Sequence, residues 1–564
     1  MFVVATAGHV DHGKSTLVHR LTGMWPDRLD EEKRRGLTID LGFAWTTIDG
    51  REIAFVDVPG HERFVTNMLA GVGPVPAAMF VVAATEGWMP QSEEHLAALR
   101  ALGVRDLLVV VSKADLADPA PVIADLRQRL PGAAVAVGTD QNRIRAELAA
   151  LTDRLPAPDT DADVRLWVDR SFTMRGAGTV VTGTLSAGTL RVGDELDCGD
   201  RRVTVRGLQS LGRDETAVAA VARVAVNLRG VDRDQVGRGD TLRTPGAWRT
   251  TVEIDVALRE AGKLHEQLVL HIGSAAVPVH VRPLGDAAAR LRLTRPLPLR
   301  IGDIGVLRDP GEKRIAAGVE VLDVRPPALR RRGAARDRAA VLATGAAPPP
   351  ECARSDELRA MGFRESGLRV GEWTVDPRWW AQRREQLTAA VANWSAQHDI
   401  AAGMPLETLR REIGLPAADL VPALLDGSGL EVADGRVRRP GGRLPERVDR
   451  AVRVLEGRLA AEPFRAPDAD ELAELALGAK ELAAAVRSGR LTKIADGVVL
   501  GPDAVARAAD VLRGIAQPFT VAEAKRALDT TRRVAVPLLE LLDRQRITSK
   551  SPSGTRTVAG AGGR

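Results

Sequence analysis

The stretch GHVDHGKS, residues 8–15, lies between the apolar run FVVATA and a segment of helix-forming composition. It matches the pattern G-x-x-x-x-G-K-[ST], in which backbone N–H groups of a glycine-rich turn surround phosphate oxygens. In this pattern Lys14 reaches the β- and γ-phosphates, and the Ser15 hydroxyl is a ligand of Mg²⁺. The sequence therefore predicts a nucleotide-binding loop made of Gly8, His9, Val10, Asp11, His12, Gly13, Lys14, Ser15 and Thr16.

Two further segments complete a predicted phosphate and magnesium site. DVPG, residues 57–60, ends an apolar run, so the Asp57 carboxylate can hold Mg²⁺ and the Gly60 N–H can contact the γ-phosphate. The charged segment DRLDEEKRRGLTID, residues 27–40, is interpreted as a switch whose Thr38 hydroxyl joins the metal only when the γ-phosphate is present. A solvated loop is the alternative interpretation. The predicted magnesium ligands are Ser15, Thr38 and Asp57.

The string SKAD, residues 112–115, follows the apolar run LLVVV and is interpreted as the base-recognition element. The Asp115 carboxylate can accept hydrogen bonds from the N1–H and 2-amino group of guanine, and the Lys113 stem can cover the base. The usual pattern has Asn in place of Ser112, and the shorter side chain is expected to weaken nucleotide retention by about 0.5–1.5 kcal/mol. A further element near residues 137–139 is expected to contact the base through its backbone. GTP and GDP are the predicted ligands.

Bulk properties exclude several classes of protein. The 564 residues are too many for one hydrophobic core, and 45% hydrophobic with 27% charged residues is typical of a globular protein. We expect neither a membrane span nor a signal peptide. Only two cysteines, Cys198 and Cys352, argue against a disulfide framework and suit a reducing cytoplasm. A net charge of +5 permits nucleic-acid binding without demonstrating it.

The order of strand and helix patterns predicts a multidomain protein. Residues 1–158 alternate apolar strands with helices, which indicates an α/β P-loop domain with a mostly parallel sheet. Short strands punctuated by Gly and Pro indicate two β-barrels, residues 163–247 and 248–327. The remainder is rich in Ala, Leu and Arg and indicates tandem winged helices. We expect a linker and a first partial winged helix over residues 328–377, and the run RRRGAARDR, residues 330–338, is linker-like. Three winged helices are then expected, over residues 378–441, 442–508 and 509–564.

The last unit has the features of an RNA-binding winged helix. TVAE, residues 520–523, matches a capping box, and a break at residues 529–530 precedes a second helix that Pro537 is expected to bend or to begin. RITSKSPSGTRTV then predicts a two-stranded wing. Residues 509–564 contain 10 Lys or Arg against 5 Asp or Glu, which suits phosphate contacts. A protein–protein module is the alternative, preferred for the inner units. The predicted RNA contacts are Arg532, Arg533, Arg546, Lys550 and Arg556.

The motifs GHVDHGKST, RGLTID, DVPGHE, WMPQSEEHL and SKAD occur in the order found in translational GTPases, and RGAGTVVTGTL resembles the start of the second domain of elongation factor Tu. The resemblance covers about residues 1–327. It implies that His61 orients the water that attacks the γ-phosphate, with Val10 and Leu37 beside it as an apolar gate. No arginine finger is evident in the sequence, so slow hydrolysis is expected until the ribosome positions His61.

Two features resemble the selenocysteine-specific elongation factors rather than elongation factor Tu. The segment from Lys14 to Thr38 is short and continues into LTIDLGF, and tandem winged helices follow the barrels. This resemblance implies GTP-dependent delivery of selenocysteinyl-tRNA to the ribosomal A site at UGA codons, with an mRNA hairpin bound by the last winged helix. It further implies a cytoplasmic monomer that needs no exchange factor.

The same resemblance implies a selenocysteine pocket in the first barrel, formed by Asp169, Arg170 and Arg223. A selenol ionises well below neutral pH, whereas serine and cysteine side chains stay mostly neutral, so a basic pocket can distinguish them. Asp169 is expected to orient the arginines or to bind the α-amino group. Ordinary surface ion pairs, worth about 0–1 kcal/mol each, are the alternative.

Three other functions share part of this pattern. A general aminoacyl-tRNA carrier with an accessory tail would bind many aminoacyl-tRNAs, but the short switch and TIDLGF argue against it. A GTPase subunit of sulfate activation has no use for winged helices. A GTP-switched transcription regulator would bind duplex DNA without tRNA, and the two barrels argue against it.

Overall fold

The computed structural model describes residues 1–26, 38–73, 75–176, 178–364, 366–398, 403–439 and 444–559. The chain forms two compact units, Met1–Ser366 and Gly367–Arg564. Among the described residues, no helix combines the length and the apolar character needed to cross a membrane.

The first domain is an α/β layer structure with strand order β2-β3-β1-β4-β5-β6. Its strands are β1 Phe2–Ala7, β2 Gly42–Ile48, β3 Arg51–Asp57, β4 Ala77–Ala83, β5 Asp106–Ser112 and β6 Ala134–Val137. Its helices are α1 Lys14–Thr22, α2 Val65–Val72, α3 Pro90–Ala101, α4 Ala120–Arg129 and α5 Gln141–Arg154. Alternate residues of β1 enter two different cores, Val3 and Ala5 on one face and Val4 on the other, so helices cover both faces of the sheet.

Strand β2 is the one element of this sheet that the sequence patterns did not indicate. It pairs antiparallel with β3, from Gly42 opposite Asp57 to Ile48 opposite Arg51, whereas the other neighbours in the sheet are parallel. This pairing brings the chain that follows Thr38 back to the end of β3. Thr38 and the predicted metal site therefore meet at the end of β3.

The next domain is a barrel, and its strands are β7 Arg165–Trp167, β8 Arg170–Met174, β9 Gly178–Leu185, β10 Thr189–Arg191, β11 Glu195–Cys198, β12 Arg201–Ser210, β13 Arg213–Glu215, β14 Ala217–Ala219, β15 Ala222–Arg229 and β16 Thr241–Arg243. Six of them follow the order β11-β16-β7-β9-β15-β12, and the β11–β12 pairing closes the ring. Strand β8 pairs with β9 but does not belong to this ring, so its residues lie on the outside of the barrel.

The second barrel is closed in the order β17-β20-β19-β18-β21-β22. Its strands are β17 Arg249–Arg259, β18 Gln267–Ile272, β19 Ala275–Pro283, β20 Ala288–Leu299, β21 Ile304–Asp309 and β22 Arg314–Asp323. The α/β domain followed by two barrels confirms the fold class predicted for this part of the chain.

The prediction of a linker over residues 330–338 was wrong in part. Helix α6, Ala334–Leu342, packs on the second barrel, and β23 Cys352–Arg354 and helix α7 Ser355–Met361 follow it. The Arg338 guanidinium is buried there and donates to Asp255, at 2.7 Å, and to Asp323. The arginine-rich composition suggested a solvated chain, but these two buried carboxylates neutralise the charge and hold the helix on the barrel.

The second unit repeats one pattern, three helices followed by a two-stranded hairpin. After the hairpin of β24 Leu368–Val370 and β25 Trp373–Val375 come α8 Pro377–Gln397, β26 Met404–Pro405, α9 Leu406–Glu412, α10 Leu420–Leu425, β27 Glu431–Ala433 and β28 Arg436–Arg438. The next repeat is α11 Glu446–Ala461, α12 Ala469–Glu474, α13 Ala479–Arg487, β29 Thr492–Ala495 and β30 Val498–Leu500. The last is α14 Ala504–Arg513, α15 Val521–Ala527, α16 Arg532–Arg544, β31 Thr548–Lys550 and β32 Arg556–Val558.

The last two repeats share one hydrophobic core, which contains residues from Val448 to Val558. The capping box at Thr520 and Glu523 is present and opens α15. Pro537 lies inside α16, so it does not mark the start of that helix.

Candidate functional site

The phosphate-binding loop connects β1 to α1 in a conformation that only glycine allows at its first position. Gly8 has φ +126°, and a Cβ there would lie 2.2 Å from the Val81 carbonyl oxygen. Asp11 is also left-handed, with φ 60°. The Lys14 ammonium donates to the carbonyl oxygens of Gly8, at 3.0 Å, and His9, at 2.8 Å. The loop is therefore wrapped around the lysine, with Thr16 exposed on the first turn of α1.

Three predicted magnesium ligands lie together beside this loop. The Ser15 hydroxyl donates to Asp57 Oδ2 at 2.6 Å and lies 3.0 Å from the Thr38 hydroxyl. The Thr6 hydroxyl donates to Asp57 Oδ1 at 2.7 Å, which fixes the buried carboxylate at the end of β3. Two hydroxyls and a carboxylate are the hard oxygen donors that Mg²⁺ prefers, so these residues fit that ion.

Gly60 and His61 follow directly on this cluster. A Cβ on Gly60 would lie 2.4 Å from Lys14 Nζ and 2.7 Å from the Val10 nitrogen, so only glycine permits this approach to the loop. The His61 Nδ1 accepts a hydrogen bond from the Arg63 N–H at 3.2 Å. In the neutral ring this leaves the proton on Nε2. Leu37, the predicted partner of Val10 in an apolar gate, lies outside the described residues.

The base-recognition motif ends β5 next to the phosphate loop. The Ser112 hydroxyl donates to the His12 carbonyl oxygen at 2.6 Å, so the residue that replaces the usual Asn still joins the two segments. Lys113 has φ 52°, and its ammonium donates to Glu86 at 2.9 Å. Asp115 is exposed to solvent. The Gly138 N–H donates to the Val111 carbonyl at 2.7 Å, which brings residues 137–139 beside the motif.

Two buried histidines support the loop, and one of them, His95, was not predicted. His95 on α3 accepts a hydrogen bond from the Gly8 N–H on Nδ1 at 3.1 Å. Burial lowers the pKa of His95 to about 3, with further lowering from Lys14 and His9. Burial also lowers the pKa of His12 to about 4, against the raising effect of its Val81 carbonyl contact. Both rings are therefore neutral supports of the phosphate loop at pH 7. The signal for His95 in the sequence was the motif WMPQSEEHL, residues 88–96, whereas His12 belongs to the phosphate loop itself.

Arg223 and Asp169 form an ion pair on adjacent parts of the first barrel. Two guanidinium nitrogens of Arg223 contact the two carboxylate oxygens of Asp169, one of them at 2.8 Å. The guanidinium also stacks over the Phe43 ring of the α/β domain, 3.8 Å from its centroid. Since the Thr182 hydroxyl donates to Asp169 at 2.7 Å as well, this carboxylate orients Arg223 as the sequence interpretation expected.

Arg170 has a different partner from the one expected. Its Nε donates to Asp40 Oδ2 at 3.0 Å, and its terminal nitrogen donates to the Leu41 carbonyl. Asp40 Oδ1 also accepts from Arg238 at 2.8 Å. Burial alone would raise the pKa of Asp40, but Arg170 and Arg238 hold it below its usual value. Asp40 and Arg238 are thus site residues that the sequence analysis missed. Asp40 lies within the motif LTIDLGF but had no role of its own there, and Arg238 belongs to none of the motifs.

One open cavity of about 780 Å³ lies between the first barrel and Asp40, and Arg223 adjoins it through its pair with Asp169. The cavity is lined by Asp40, Asp169, Arg170, Ser171, Phe172, Arg233, Asp234, Gln235, Val236, Gly237, Arg238 and Asp240. Its wall combines charged groups with the exposed ring of Phe172. Such a cavity can hold a small charged group that is attached to a larger ligand outside it.

The predicted RNA contacts differ in exposure. Arg532, Arg546 and Lys550 are exposed on α16 and at the wing. Arg533 is exposed as well but donates to the carbonyls of Pro467 and Gly497 in the preceding repeat. The geometry does not support Arg556 as a contact residue, because it is 5% exposed and donates to Asp543 at 2.9 Å.

Comparison with protein-family models identifies three segments of this chain. Residues 1–274 match the elongation factor Tu GTP binding domain, and residues 250–328 match the beta-barrel domain of selenocysteine-specific elongation factor. Residues 510–553 match the winged helix of elongation factor SelB.

Whole-chain relatives extend this similarity. The chain is 36% identical over 466 residues to the selenocysteine-specific elongation factor of Escherichia coli (strain K12), covering 75% of each chain. It is 31% identical over 487 residues to the protein of that name from Haemophilus influenzae, covering 78% of each. A crystal structure of bacterial selenocysteine-specific elongation factor EF-Sec has the same fold, with a TM-score of 0.76, 23% identity and 99% of both chains covered.

The phosphate loop, the oxygen cluster at Ser15 and the two barrels together define a translational GTPase that binds guanine nucleotide. This confirms the GTPase activity predicted from the motifs. The sequence identity to named relatives identifies the family within the translational GTPases. The chain belongs to the selenocysteine-specific elongation factors.

Proposed function

We propose that the protein carries selenocysteinyl-tRNA, in complex with GTP, to the ribosomal A site at UGA codons. The observation that carries this proposal is the charged cavity beside Asp40, whose wall residue Asp169 holds Arg223 against the Phe43 ring. A cavity of this kind, next to a nucleotide switch, suits an aminoacyl group whose binding depends on GTP. We expect the factor to act as a monomer in the cytoplasm, where translation takes place.

Charge supports selenocysteine as the amino acid. The wall contains Arg170, Arg233 and Arg238. Asp40 pairs with Arg170 and Arg238, and Asp169 pairs with Arg223, which lies beside the wall. The other two carboxylates of the wall are Asp234, which pairs with Arg233, and Asp240. A selenolate brings its own negative charge to these guanidinium groups, whereas the serine hydroxyl brings none. The difference in binding free energy between the two ligands therefore comes from the arginines, and from Arg223 above all, because it is less exposed than Arg170 and Arg238.

Hydrolysis would use residues already in position at the phosphate loop. Lys14 and the backbone N–H groups of the loop would hold the phosphates, while Gly60 would contact the γ-phosphate. A Mg²⁺ ion held by Ser15, Thr38 and Asp57 would neutralise part of the charge that develops on the phosphate oxygens. His61, with its proton on Nε2, would orient the attacking water once the ribosome is bound.

The last winged helix is proposed to bind the mRNA hairpin that marks the UGA codon. It has the exposed basic residues Arg532, Arg546 and Lys550 on α16 and the wing. Contacts to RNA phosphates supply much of the affinity of such modules, and loop or bulge bases supply specificity.

The test is the affinity of GTP-loaded protein for selenocysteinyl-tRNA and for seryl-tRNA of the same tRNA species. We expect a preference of a hundredfold or more, about 2.8 kcal/mol. Arg223→Ala should remove most of this preference. Arg223→Lys should keep a part of it, because it retains the charge but not the two-point contact with Asp169.

Arg202→Ala is the matched control, because it also breaks an arginine–aspartate pair of the first barrel, with Asp197, but at an exposed position outside the cavity. It should leave the preference intact. Equal affinity of the wild-type protein for both tRNAs would contradict the selenocysteine proposal and favour a general aminoacyl-tRNA carrier. Absence of tRNA binding would remove the protein from elongation altogether.

A further inference from the structure

Residues 38–41 connect the magnesium cluster directly to the barrel cavity. The Thr38 hydroxyl lies 3.0 Å from the Ser15 hydroxyl, and Asp40, only two residues later, lines the cavity. Two residues of extended chain span at most about 7 Å, so Thr38 cannot move far from the cluster without moving Asp40. The position of the Asp40 carboxylate therefore depends on the position of the Thr38 hydroxyl.

Asp40 is the shared counter-ion of two barrel arginines. Its two carboxylate oxygens accept hydrogen bonds from Arg170, at 3.0 Å, and from Arg238, at 2.8 Å. The three side chains are each between a quarter and a third exposed. The contacts are therefore neither fully screened by solvent nor permanently buried, as a reversible connection requires.

Two further hydrogen bonds attach the same arginines to the switch region. Arg238 donates to the Asn67 side chain on α2 at 2.6 Å, and Asn67 in turn donates to the Ile39 carbonyl at 2.8 Å. Arg170 donates to the Leu41 carbonyl. Both guanidinium groups are thus oriented by the backbone and side chains of residues 39–41 and by α2, which lie in the nucleotide-binding domain.

We propose that Asp40 is a positioning residue that makes the selenocysteine cavity depend on the bound nucleotide. When Thr38 is held at the magnesium cluster, Asp40 orients Arg170 and Arg238 as walls of the cavity. When Thr38 leaves the cluster after hydrolysis, the carboxylate leaves with it, and the two arginines lose their common partner. Arg238 then keeps only its contacts with the Asp169 carbonyl and Asn67, which do not hold it to Arg170. This inference rests on the proposed function, because it concerns the same cavity.

Simple charge attraction makes the opposite prediction for an Asp40 variant. Removing a carboxylate from the cavity wall makes the wall more positive, which alone would strengthen the binding of a selenolate in every nucleotide state. A positioning role instead predicts weaker binding in the GTP state alone. Charge attraction therefore predicts tighter binding of selenocysteinyl-tRNA to the variant, and a positioning role predicts weaker binding. Only the positioning role predicts that the change depends on whether GTP or GDP is bound.

The experiment measures the affinity of Asp40→Ala for selenocysteinyl-tRNA at saturating GDP and at a saturating non-hydrolysable GTP analogue. Saturation keeps any change in nucleotide affinity out of the result. We expect the ratio of the two affinities to fall at least tenfold relative to wild type, through weaker binding in the GTP state. Glu52→Ala is the matched control, because Glu52 also joins the nucleotide domain to a first-barrel arginine, Arg213, but lies away from Thr38. It should keep the wild-type ratio.

A double-mutant cycle checks that Asp40 acts through its partners. Asp40→Ala combined with Arg238→Ala should lower the ratio little further than either single change, whereas independent structural effects would multiply. An unchanged ratio in Asp40→Ala, or tighter binding in the GTP state, would overturn the inference while the proposed function stands. If the wild-type protein itself shows no preference for selenocysteinyl-tRNA, the proposed function fails and the inference fails with it.

Discussion

His95 shows how a residue remote from the chemistry can hold the phosphate loop. It is completely buried, and its Nδ1 accepts the Gly8 N–H at 3.1 Å, so it has to be neutral to make this contact. Its pKa in the folded protein is about 3, and that of His12 is about 4, while an unfolded histidine has a pKa near 6.5. Between pH 6.5 and about 4 the unfolded chain therefore binds protons that the folded domain does not.

This linkage predicts acid sensitivity of the nucleotide-binding domain. The contribution of the neutral histidines is fully present above pH 6.5 and is lost progressively as the pH falls toward their folded pKa values. We expect the midpoint temperature for loss of a bound fluorescent GDP to fall between pH 7 and pH 5. His95→Asn, which keeps an acceptor but cannot be protonated, should show a shallower fall. His280→Asn on the second barrel should follow the wild-type curve, and a wild-type slope in His95→Asn would contradict this account.

Ser112 is the residue at which this chain departs from the usual base-recognition motif. Its hydroxyl donates to the His12 carbonyl at 2.6 Å, and His12 is buried, so the bond is made away from solvent. Ser112→Ala should weaken GDP and GTP binding by about 2–12-fold, equivalent to about 0.5–1.5 kcal/mol for one neutral hydrogen bond. Stopped-flow dissociation of a fluorescent nucleotide measures this. Thr85→Ala, an exposed hydroxyl nearby in the same domain, is the control, and unchanged dissociation in Ser112→Ala would show that the bond does not contribute.

At the scale of elements, the two strands of the wing in the last winged helix carry basic residues with different roles, one for RNA contact and one for structural support. Lys550 is exposed at the end of β31, whereas Arg556 on β32 is buried against Asp543. Lys550→Ala should therefore lower the affinity for the mRNA hairpin and reduce the slope of log affinity against log salt by about 1, with unchanged thermal stability. Arg556→Ala should instead destabilise the domain by about 1–3 kcal/mol, because Asp543 loses a charged partner.

Fluorescence anisotropy with a labelled hairpin, over a range of salt concentrations, measures the first effect, and thermal denaturation measures the second. Equal loss of affinity in both variants, at equal stability, would contradict the division of roles between the two wing strands.

The elements that the sequence predicted well are those with a strong local pattern. The strand β1 was predicted with its observed bounds, because an apolar run directly precedes the glycine turn. Strand β2 was missed because it lies at the edge of the sheet and is only partly buried, so GFAWTTI has a shorter apolar run than the central strands. Helix α6 was missed because its arginines suggested solvent, and the partners of Arg338, Asp255 and Asp323, lie outside the segment.

At the scale of the whole molecule, the phosphate loop could be predicted from a local sequence pattern, whereas the cavity could not. The residues of the phosphate loop follow one another in the sequence, so a motif could identify them. The cavity instead joins Asp40, Asp169 and Arg238, which come from two domains and have no fixed spacing. Arg238 contacts Asp40 across 198 positions of sequence, and only the packing of the barrel against the nucleotide domain brings them together. Resemblance to a family supplied Asp169 and Arg223, but the counter-ion of Arg170 required the structure.

The last two winged helices pack together around a shared hydrophobic core. Their apolar residues form one core, from Val448 on α11 to Val558 on β32. Polar contacts reinforce it, since Thr530 donates to the Phe464 carbonyl and Arg533 donates to the carbonyls of Pro467 and Gly497. The hairpin-binding repeat is therefore supported by its neighbour.

This packing predicts that the fragment 444–564 folds independently and binds the mRNA hairpin, whereas the fragment 502–564, which keeps the whole of α14, is markedly less stable. Removing residues 444–501 exposes the side of the last repeat that packs against them, and a loss of about 2 kcal/mol in a domain of this size lowers the midpoint temperature by about 10 °C. Thermal denaturation by circular dichroism and hairpin titration of both fragments make the comparison. Equal midpoints and equal affinities would show that the shared core is an incidental contact. A lower midpoint temperature with weaker hairpin binding in the shorter fragment would show that the inner repeat stabilises the RNA-binding conformation of the last repeat.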